Sequence, residues 1–272
     1  MNKKIDIIAE LGWNHMGDMD LAKDMIYASK EAGANYVKFQ TWKVDRLTDG
    51  PWDTDGRREI YEQAELSEDN HYFLKDTCEA AGIKFLTSVF SHRDLAFIRQ
   101  LTNEVKIPSP ESGNIALVQD AIDMFDKIFI STGASYKKEY NLWAKEDKAI
   151  LMHCTSAYPC DPKDFNIAKL NYIKAITNKF GYSGHQPIVW DAMVAISHGA
   201  CVIEKHLTLD NNLPGRDNKF ALLPDAFSQI RKFADHYNLM VKGQECSADI
   251  LECEQQYRTF HKGRWDKREK TI

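Results

Sequence analysis

The chain has 272 residues, of which 43% are hydrophobic and 28% charged, a composition that supports a folded core and argues against disorder. Its net charge of -5 offers no basic face to a phosphate backbone, so we expect no nucleic-acid partner. The N-terminus lacks the apolar segment of a signal peptide, and no run is long enough to cross a membrane, which predicts a cytoplasmic protein without membrane association.

In chain order, the sequence repeats one unit eight times: an amphipathic stretch, a glycine or polar break, and a short apolar run that ends in polar residues. The apolar runs predict strands at 5–10, 36–40, 84–88, 104–107, 127–131, 149–154, 179–183 and 201–206. Helices are predicted at 21–31, 68–81, 167–178, 188–198 and 225–242, and glycine in a left-handed conformation is expected to end several of them, at Gly33, Gly82 and Gly199.

Short buried strands that alternate with helices require parallel crossovers, and eight such units favour closure into an α/β (β/α)8 TIM barrel. An open doubly wound sheet is the alternative, but no glycine-rich phosphate loop follows the first strand. We therefore predict a catalytic barrel over residues 1–243 and a charged C-terminal extension over 244–272. The irregular stretch 41–67 is interpreted either as a lid or as a solvated insertion.

Polar residues gather where the predicted strands end, which is where barrels of this kind carry their active sites. Together they describe a pocket for an anion and a metal, although Thr87 and His153, taken singly, are better explained as satisfied polar residues. In strand order the residues are Glu10, Lys38, Gln40, Thr87, Ser88, Lys106, Ser109, Ser131, Thr132, His153, Thr155, Ser183, His185, Glu204, Lys205 and His206.

Two of these lysines stand in apolar surroundings, Tyr-Val-Lys-Phe-Gln for Lys38 and Glu-Val-Lys-Ile-Pro for Lys106. An ammonium group is costly there unless it meets an anion, so phosphate or carboxylate is the predicted partner. Neutral donors that can complete the site are the hydroxyls of Ser88, Ser109, Ser131 and Ser183. The alternative is a structural pair between each lysine and a buried glutamate.

Two histidines, His185 and His206, end the neighbouring strands seven and eight, so their imidazoles can reach a common point. Two nitrogen ligands plus water suit Mn, Fe, Co or Zn without closing a structural zinc site. A metal site is therefore predicted, against the alternative that each histidine is structural.

Several ordered blocks of sequence carry a family resemblance. They are Ile-Ala-Glu-Leu-Gly-Trp-Asn-His-Met-Gly-Asp (8–18), Val-Lys-Phe-Gln-Thr (37–41), Lys-Ile-Pro-Ser-Pro-Glu (106–111) with Asn114, Ser-Thr-Gly (131–133), His-Cys-Thr-Ser-Ala-Tyr-Pro (153–159), Gly-Tyr-Ser-Gly-His (181–185), Val-Ile-Glu-Lys-His-Leu-Thr-Leu-Asp (202–210) and Pro-Gly-Arg-Asp (214–217). Over residues 6–230 the chain resembles the N-acetylneuraminate (sialic acid) synthase family.

The resemblance implies an enzyme that joins phosphoenolpyruvate to the open-chain aldehyde of an N-acetylated hexosamine such as N-acetylmannosamine, releasing phosphate and a nine-carbon 3-deoxy-2-keto acid. It assigns the phosphoenolpyruvate cradle to Lys38, Lys106, Ser109, Ser131 and Ser183, with Ser88 and Ser156 as weaker members. It assigns the sugar contacts to Gln40, Glu111, Tyr158 and Asp217. It makes His185 and His206 ligands of a divalent metal, Mn²⁺ with Mg²⁺ or Co²⁺ as alternatives, and Glu10 a further pocket carboxylate.

The expected mechanism has three steps. The metal polarises the aldehyde and draws attack from C3 of the enol phosphate. Water captures the cationic C2 with Glu111 or Glu10 as base, and the tetrahedral intermediate expels phosphate. Lys38 and Lys106 hold that phosphate throughout.

The chain departs from the family pattern on the sugar side. Gly184 stands where an acidic residue is usual, Asn218 where a histidine is usual, and Ala221 and Leu223 where Ser and Glu are usual. The family's small C-terminal antifreeze-like domain, which covers the partner's sugar site in the dimer, is expected to be missing. A homodimer remains possible, and the extension, with Tyr257, Phe260 and Trp265, is interpreted as a terminal helix on the barrel or a dimer contact.

Two alternatives stay open. The first keeps the chemistry and changes the acceptor to a related hexosamine, a dideoxy-diamino sugar, mannose or a shorter aldose. A phosphorylated acceptor would want a basic cluster on the rim, for which Arg57, Arg58 and Arg216 are candidates. The second is a barrel that binds a ligand or partner protein and catalyses nothing.

Overall fold

The computed structural model of the protein describes residues 5–242 and 249–265. Within them, parallel strands close into a barrel in chain order, and the last strand pairs with the first. The strands are β1 Asp6–Gly12, β2 Tyr36–Thr41, β3 Lys84–Val89, β4 Glu104–Ile107, β5 Lys127–Ser131, β6 Ala149–Cys154, β7 Phe180–Gly184 and β8 Val202–His206. The predicted (β/α)8 barrel is confirmed, and the alternative of an open doubly wound sheet is excluded.

Helices connect the strands on the outside of the barrel. They are α1 Met19–Glu31, α2 Arg57–Ala64, α3 Glu68–Ala81, α4 Leu95–Leu101, α5 Ile115–Met124, α6 Lys137–Tyr140, α7 Ile167–Ile176, α8 Trp190–Ser197, α9 Pro224–Lys242 and α10 Gln255–His261. Helix α3 shows why the sequence folds this way. The Ser67 side chain accepts from the backbone N–H of Asn70 at its start, and Gly82 ends it with φ of +66°.

The core has two layers because side chains alternate along each strand. Strand residues that face outward pack against the buried faces of the helices, to which Leu74 and Cys78 of α3 belong. A smaller apolar cluster fills the barrel interior below the polar strand ends, and consists of Ile8, Tyr36, Leu86, Phe129, Ile150, Met152 and Val202. This cluster forms the apolar base of the barrel interior, beneath the polar side chains at the strand ends.

The N-terminal end of the barrel is closed by charged side chains from neighbouring strands. Lys84 Nζ lies 2.8 Å from Glu104 Oε1, and Lys127 Nζ lies 3.5 Å from Asp6 Oδ2 and 3.7 Å from Glu104 Oε2. Both lysines also donate to the hydroxyl of Tyr36, at 3.2 and 3.0 Å. This end is occupied by a structural network and leaves the opposite end for ligands.

The stretch 41–67 is more ordered than its composition predicts. It contains two short 3-10 turns, Val44–Arg46 and Pro51–Asp53, and the helix α2. Lys43 holds its base by donating to Glu65 at 2.8 Å and to the carbonyl of Leu66 at 3.0 Å.

Only part of the predicted C-terminal extension lies among the described residues, since 243–248 and 266–272 fall outside them. Helix α10 presents Tyr257 and Phe260 largely exposed, at 69% and 67%, and Trp265 is 88% exposed. Within residues 249–265 these aromatic rings do not pack onto the barrel, so the interpretation of the extension as a terminal helix on the barrel is not supported there. No helix of 5–242 or 249–265 is long and apolar enough to span a bilayer.

Candidate active site

The carboxyl ends of the strands open into one cavity of about 1050 Å³. The residues to which the family resemblance assigns a role all line it: Glu10, Lys38, Gln40, Ser88, Lys106, Ser109, Glu111, Ser131, Ser156, Tyr158, Ser183, His185, His206 and Asp217. Their convergence follows from the fold, because residues at alternate positions of every strand face the barrel interior. Their individual roles remain predictions.

Five of the polar residues predicted at the strand ends do not line the cavity: Thr87, Thr132, His153, Thr155 and Lys205. Lys205 lies between Glu204 and His206 and therefore points outward, where its ammonium meets Asp191 on α8 at 2.8 Å. Thr87 bonds to Thr41 at 2.8 Å, and His153 Nε2 bonds to the carbonyl of Phe165 at 2.6 Å. Grouping Lys205 with the pocket was wrong. The interpretation of Thr87 as a satisfied polar residue is confirmed, whereas His153 is satisfied only at Nε2, because its Nδ1 is buried without a hydrogen-bond partner.

Two lysines and two glutamates form a buried charge quartet, defined as Glu10, Lys38, Lys106 and Glu204. Lys38 Nζ lies 2.7 Å from Glu10 Oε2, 3.7 Å from Glu204 Oε1, and 2.8 Å from Ser88 Oγ. Lys106 Nζ lies 2.8 Å from Glu204 Oε2. All four side chains are 6% exposed or less. In the ligand-free protein, each lysine therefore has the glutamate partner that the sequence left open as an alternative.

The two carboxylates of the quartet differ in their affinity for a proton. Burial raises the pKa of Glu204, but Lys106 and Lys38 outweigh it and bring the pKa to about 2. Burial also raises the pKa of Glu10, and although Lys38 opposes it and Glu204 adds to it, the net pKa is above the ordinary value. Glu204 is thus a fixed anion, and Glu10 is the carboxylate better suited to accept a proton.

The serines occupy neighbouring strand ends around the quartet. Ser183 Oγ donates to Glu204 Oε1 at 3.1 Å, and Ser109 Oγ accepts from the backbone N–H of Gly133 at 3.2 Å. A side chain at Gly133 would bring its Cβ to 2.6 Å from Ser109 Oγ, so glycine is required for this close approach. Ser131 is buried in the same cavity, whereas Ser156 is exposed at its mouth.

The imidazoles of His185 and His206 face each other across neighbouring strands, with ring centroids 5.5 Å apart. His185 Nδ1 lies 2.9 Å from the carbonyl of Thr155, which can only accept, so Nδ1 carries the hydrogen and Nε2 keeps its lone pair. His206 Nδ1 is buried without a hydrogen-bond partner and lies 3.7 Å from Asp217 Oδ2. These free nitrogens fit a cation.

The donor set fits an open metal site and not a complete one. Among the described residues, no cluster of three or more His, Cys, Asp and Glu side chains is arranged to hold a metal ion. Burial, with His185 and Lys38, holds the pKa of His206 well below its usual range, which leaves the neutral imidazole that ligation needs. Burial lowers the pKa of His185 too, but Cys154 and the Thr155 carbonyl raise it overall, so a cation there would compete with a proton.

The predicted sugar contacts are distributed around the mouth of the cavity. Gln40 Nε2 donates to Glu10 Oε1 at 2.6 Å, and Glu111 accepts from Asn114 Nδ2 at 3.0 Å. Tyr158, 54% exposed, packs on the His185 ring at 4.1 Å between centroids.

Asp217 completes this set from the segment after β8. Burial, with Glu10 adding to it, raises its pKa to about 7. The neighbouring Asn218, where the resemblance leads one to expect histidine, is buried and donates to the carbonyls of Asn14 and Pro214 at 3.1 and 2.6 Å. Asn218 thus fixes the segment that carries Asp217, a structural role that the sequence did not indicate.

An aromatic wall, made of Trp13, Trp42 and Tyr61, flanks the cavity. The rings of Trp13 and Tyr61 stack at 5.0 Å, and Trp42 meets Trp13 edge-on at 6.1 Å. Since Trp42 and Tyr61 belong to the stretch 41–67, that stretch forms part of the site and is not merely a solvated insertion.

Basic residues on the rim are mostly neutralised. Arg57 and Arg216 line the cavity, but Arg57 Nη2 lies 2.6 Å from Asp55 Oδ2. Arg58 is held by Asp53 at 2.5 Å and does not line the cavity. Of the three arginines considered for a phosphorylated acceptor, two are thus engaged with aspartates of the same segment.

Glu204 is the site residue whose importance the sequence reasoning missed. It was noted at a strand end but was given no role, although it contacts both lysines. The signal was present: Glu204 and His206 are two residues apart on one strand and must share a face.

The fold and the polar mouth define the class of the protein, a (β/α)8 barrel with a buried charge quartet next to paired imidazoles. The chain belongs to the NeuB family, whose model matches residues 25–245. The resemblance seen in the sequence is thereby confirmed.

Relatives in this family are similar over most of the chain. It is 32% identical over 270 residues to the N,N'-diacetyllegionaminic acid synthase of Legionella pneumophila, covering 89% of this chain and 75% of that protein. It is 33% identical over 258 residues to the N-acetylneuraminate-9-phosphate synthase of Drosophila melanogaster, covering 86% and 68%. The crystal structure of the sialic acid synthetase from Leptospira borgpetersenii, in complex with citrate, superposes with a TM-score of 0.85 at 26% identity over 96% and 93% of the two chains.

Proposed function

We propose that this protein condenses phosphoenolpyruvate with the open-chain aldehyde of an N-acetylated amino sugar, giving a nonulosonic acid and phosphate. The observation that carries the proposal is the buried charge quartet at the base of the cavity, next to the imidazoles of His185 and His206. Membership of the NeuB family, and relatives named as synthases of legionaminic and neuraminic acids, support the same reaction.

The donor would bind to the ammonium groups of Lys38 and Lys106. The quartet has two positive and two negative groups, so a phosphate would compete with the carboxylates for the lysines. Ser109, Ser131 and Ser183 are placed to donate hydrogen bonds to the same anion.

A divalent metal, Mn²⁺ with Mg²⁺ or Co²⁺ as alternatives, would be held by His185 and His206, with water or substrate oxygens as its remaining ligands. When bound, it would supply a Lewis acid for the aldehyde oxygen.

The protein's own residues then orient the reactants and move the protons. C3 of the enol phosphate forms a bond to the aldehyde carbon, whose oxygen ends as a hydroxyl. Water adds to C2 and gives its proton to a carboxylate, for which Glu10 is suited by its raised pKa and Glu111 by its place at the mouth. The carboxylate passes that proton to the former aldehyde oxygen. The bond between C2 and the phosphate oxygen then breaks as the C2 hydroxyl loses its proton to the departing phosphate and becomes the ketone, and Lys38 and Lys106 stabilise the phosphate that leaves.

The acceptor is proposed to contact Gln40, Glu111, Tyr158 and Asp217, with the aromatic wall along one side. N-acetylmannosamine and diacetamido sugars are the first candidates, because the relatives are named as synthases of N,N'-diacetyllegionaminic acid and N-acetylneuraminate 9-phosphate, acids that carry acetyl groups.

The test is phosphate release from phosphoenolpyruvate with Mn²⁺ across a panel of aldoses, including N-acetylmannosamine, its 6-phosphate, a dideoxy-diamino hexose and mannose. We expect release that needs a sugar, stops with a chelator, and falls at least about 100-fold in His185→Ala. His236→Ala, which removes an exposed histidine on α9, is the matched control and should keep full activity. No release with any sugar, in protein shown to bind both phosphoenolpyruvate and metal, would favour the non-catalytic barrel.

A further inference from the structure

A second buried ion pair lies behind the imidazoles, in the layer between the barrel and α8. Lys205 Nζ lies 2.8 Å from Asp191 Oδ2 and 3.0 Å from Asp191 Oδ1, and both side chains are 1% exposed or less. The hydroxyl of Tyr182 donates to Asp191 Oδ2 at 2.9 Å, and Lys205 Nζ donates to the carbonyl of Gln186 at 2.7 Å. We call these groups the outer clamp.

The outer clamp joins the two segments that carry the histidines. Lys205 directly precedes His206 on β8, and Gln186 directly follows His185 after β7. The ammonium group of Lys205, on the strand that carries His206, therefore binds the backbone carbonyl next to His185. Since Asp191 holds that ammonium, the separation of the two rings depends on a carboxylate that touches neither of them.

Gly184 makes room for this carboxylate. A Cβ at position 184 would lie 2.5 Å from both Asp191 Oδ2 and Tyr182 Cε1, and 2.7 Å from the Tyr182 hydroxyl, so the volume beside the backbone of residue 184 is filled by Asp191 and the Tyr182 ring. This is also the position at which the resemblance led us to expect an acidic residue. A carboxylate in this volume can come from α8 or from residue 184, but the volume does not hold both.

We propose that Asp191 and Lys205 are positioning residues for the paired imidazoles, with α8 supplying the carboxylate that residue 184 lacks. What the imidazoles bind rests on the proposed function, but their placement by the outer clamp does not. Without Asp191, the buried ammonium of Lys205 lacks a counter-charge and has to leave its place, which frees the Gln186 carbonyl and the backbone after His185.

The experiment compares Asp191→Ala, Gly184→Asp and the double variant Gly184→Asp/Asp191→Ala with the wild type. Long-range ¹⁵N–¹H NMR of the imidazole nitrogens reports the placement and tautomer of His185 and His206 in the metal-free protein. Mn²⁺ titration followed by EPR reports how the pair binds a cation. Each single variant should shift the His185 resonances and weaken Mn²⁺ binding about 10- to 100-fold, and the double variant should restore both.

Glu104→Gln, which breaks an ion pair at the opposite end of the barrel, is the matched control for general destabilisation. It should lower the melting temperature and leave the imidazole resonances unchanged. Asp191→Ala with wild-type imidazole resonances would overturn the proposal; if Asp191→Ala does not fold, Asp191→Asn, which removes the charge and keeps the shape of the side chain, decides by the same comparison. Wild-type protein that binds no Mn²⁺ would instead count against the metal in the proposed function, while the NMR comparison still tests the clamp.

Discussion

The two lysines of the charge quartet are held by different numbers of partners. Burial lowers the pKa of Lys38, but Glu10 and Glu204 raise it above the ordinary value. Lys106 has Glu204 alone, which it shares with Lys38, and burial keeps its pKa below the ordinary value. Lys106 is therefore the lysine with most to gain from an added anion.

The corresponding prediction concerns Lys106→Gln, which removes the charge and keeps a hydrogen-bond donor. A charge-assisted hydrogen bond contributes about 1.5–3 kcal/mol, so the Kd for phosphoenolpyruvate should rise about 10- to 150-fold. Isothermal titration calorimetry measures it, with Lys127→Gln at the far end of the barrel as control. An unchanged Kd in Lys106→Gln would remove Lys106 from the donor site.

At the scale of the element, the bounds of the strands could be predicted from the sequence better than the contacts between their side chains. The strand bounds could be predicted to within two residues because a buried parallel strand is a nearly continuous apolar run. The contact of Lys106 with Glu204 could not be predicted from the sequence. Strands β4 and β8 lie on opposite sides of the barrel, and only closure of the barrel brings these two side chains together. Helix α2 was missed because its segment is short and strongly charged, so that few apolar residues mark it.

The cap of α3 gives a prediction for stability. Gly82 has φ of +66°, and the nearest atom to an added Cβ is Lys30 Nζ at 3.7 Å, so a substitution there meets strain without a clash. Gly82→Ala should lower the free energy of unfolding by about 1–2 kcal/mol, and Gly82→Asn by less, because asparagine tolerates the left-handed region. Urea denaturation measures both; equal losses would mean that backbone conformation is not the cause.

The charged network at the N-terminal end predicts a pH dependence. Burial raises the pKa of Glu104, but hydrogen bonds from Lys84 and Tyr36 and the charge of Lys127 bring it below the ordinary value. A carboxylate with a lowered folded-state pKa stabilises the protein above its unfolded pKa, near 4.5, and loses that contribution as the pH falls through the folded value.

Glu104→Gln should therefore lower the stability by about 1–2 kcal/mol at pH 7, and the difference from wild type should vanish as the pH falls below the folded-state pKa of Glu104. Urea denaturation at several pH values measures it. The matched control is Glu79→Gln, which breaks an exposed 2.8 Å pair with Lys75 and should cost less than about 0.5 kcal/mol. A difference that persists in acid would exclude ionisation of Glu104 as its origin.

At the scale of the whole molecule, the two ends of the barrel have separate tasks. The N-terminal end joins strands by salt bridges, and the carboxyl end holds the cavity. Ligands that bind the folded protein at the cavity should stabilise the whole barrel, because its closed sheet couples every strand to its neighbours.

At 100 times their Kd, phosphoenolpyruvate or Mn²⁺ should each add about 2.7 kcal/mol to the folded state and raise the melting temperature by about 5–10 °C. Differential scanning fluorimetry checks this. His206→Ala should abolish the shift caused by Mn²⁺ and keep most of the shift caused by phosphoenolpyruvate. Loss of both shifts in a folded variant would show that the two sites cannot be separated.

The charge quartet has a consequence for selectivity. With no ligand bound, the carboxylates of Glu10 and Glu204 already occupy both ammonium groups, so the protein carries its own tethered competitor. A tethered group is present at high effective concentration, and a free anion displaces it only by offering more charge and more acceptor oxygens. Chloride and acetate are expected to fall short of that threshold, whereas a small molecule that bears both phosphate and carboxylate would engage the two lysines at once. Pairing of the lysines with Glu10 and Glu204 should thus lower the affinity for every anion, and it should exclude abundant anions that bind the lysines only weakly.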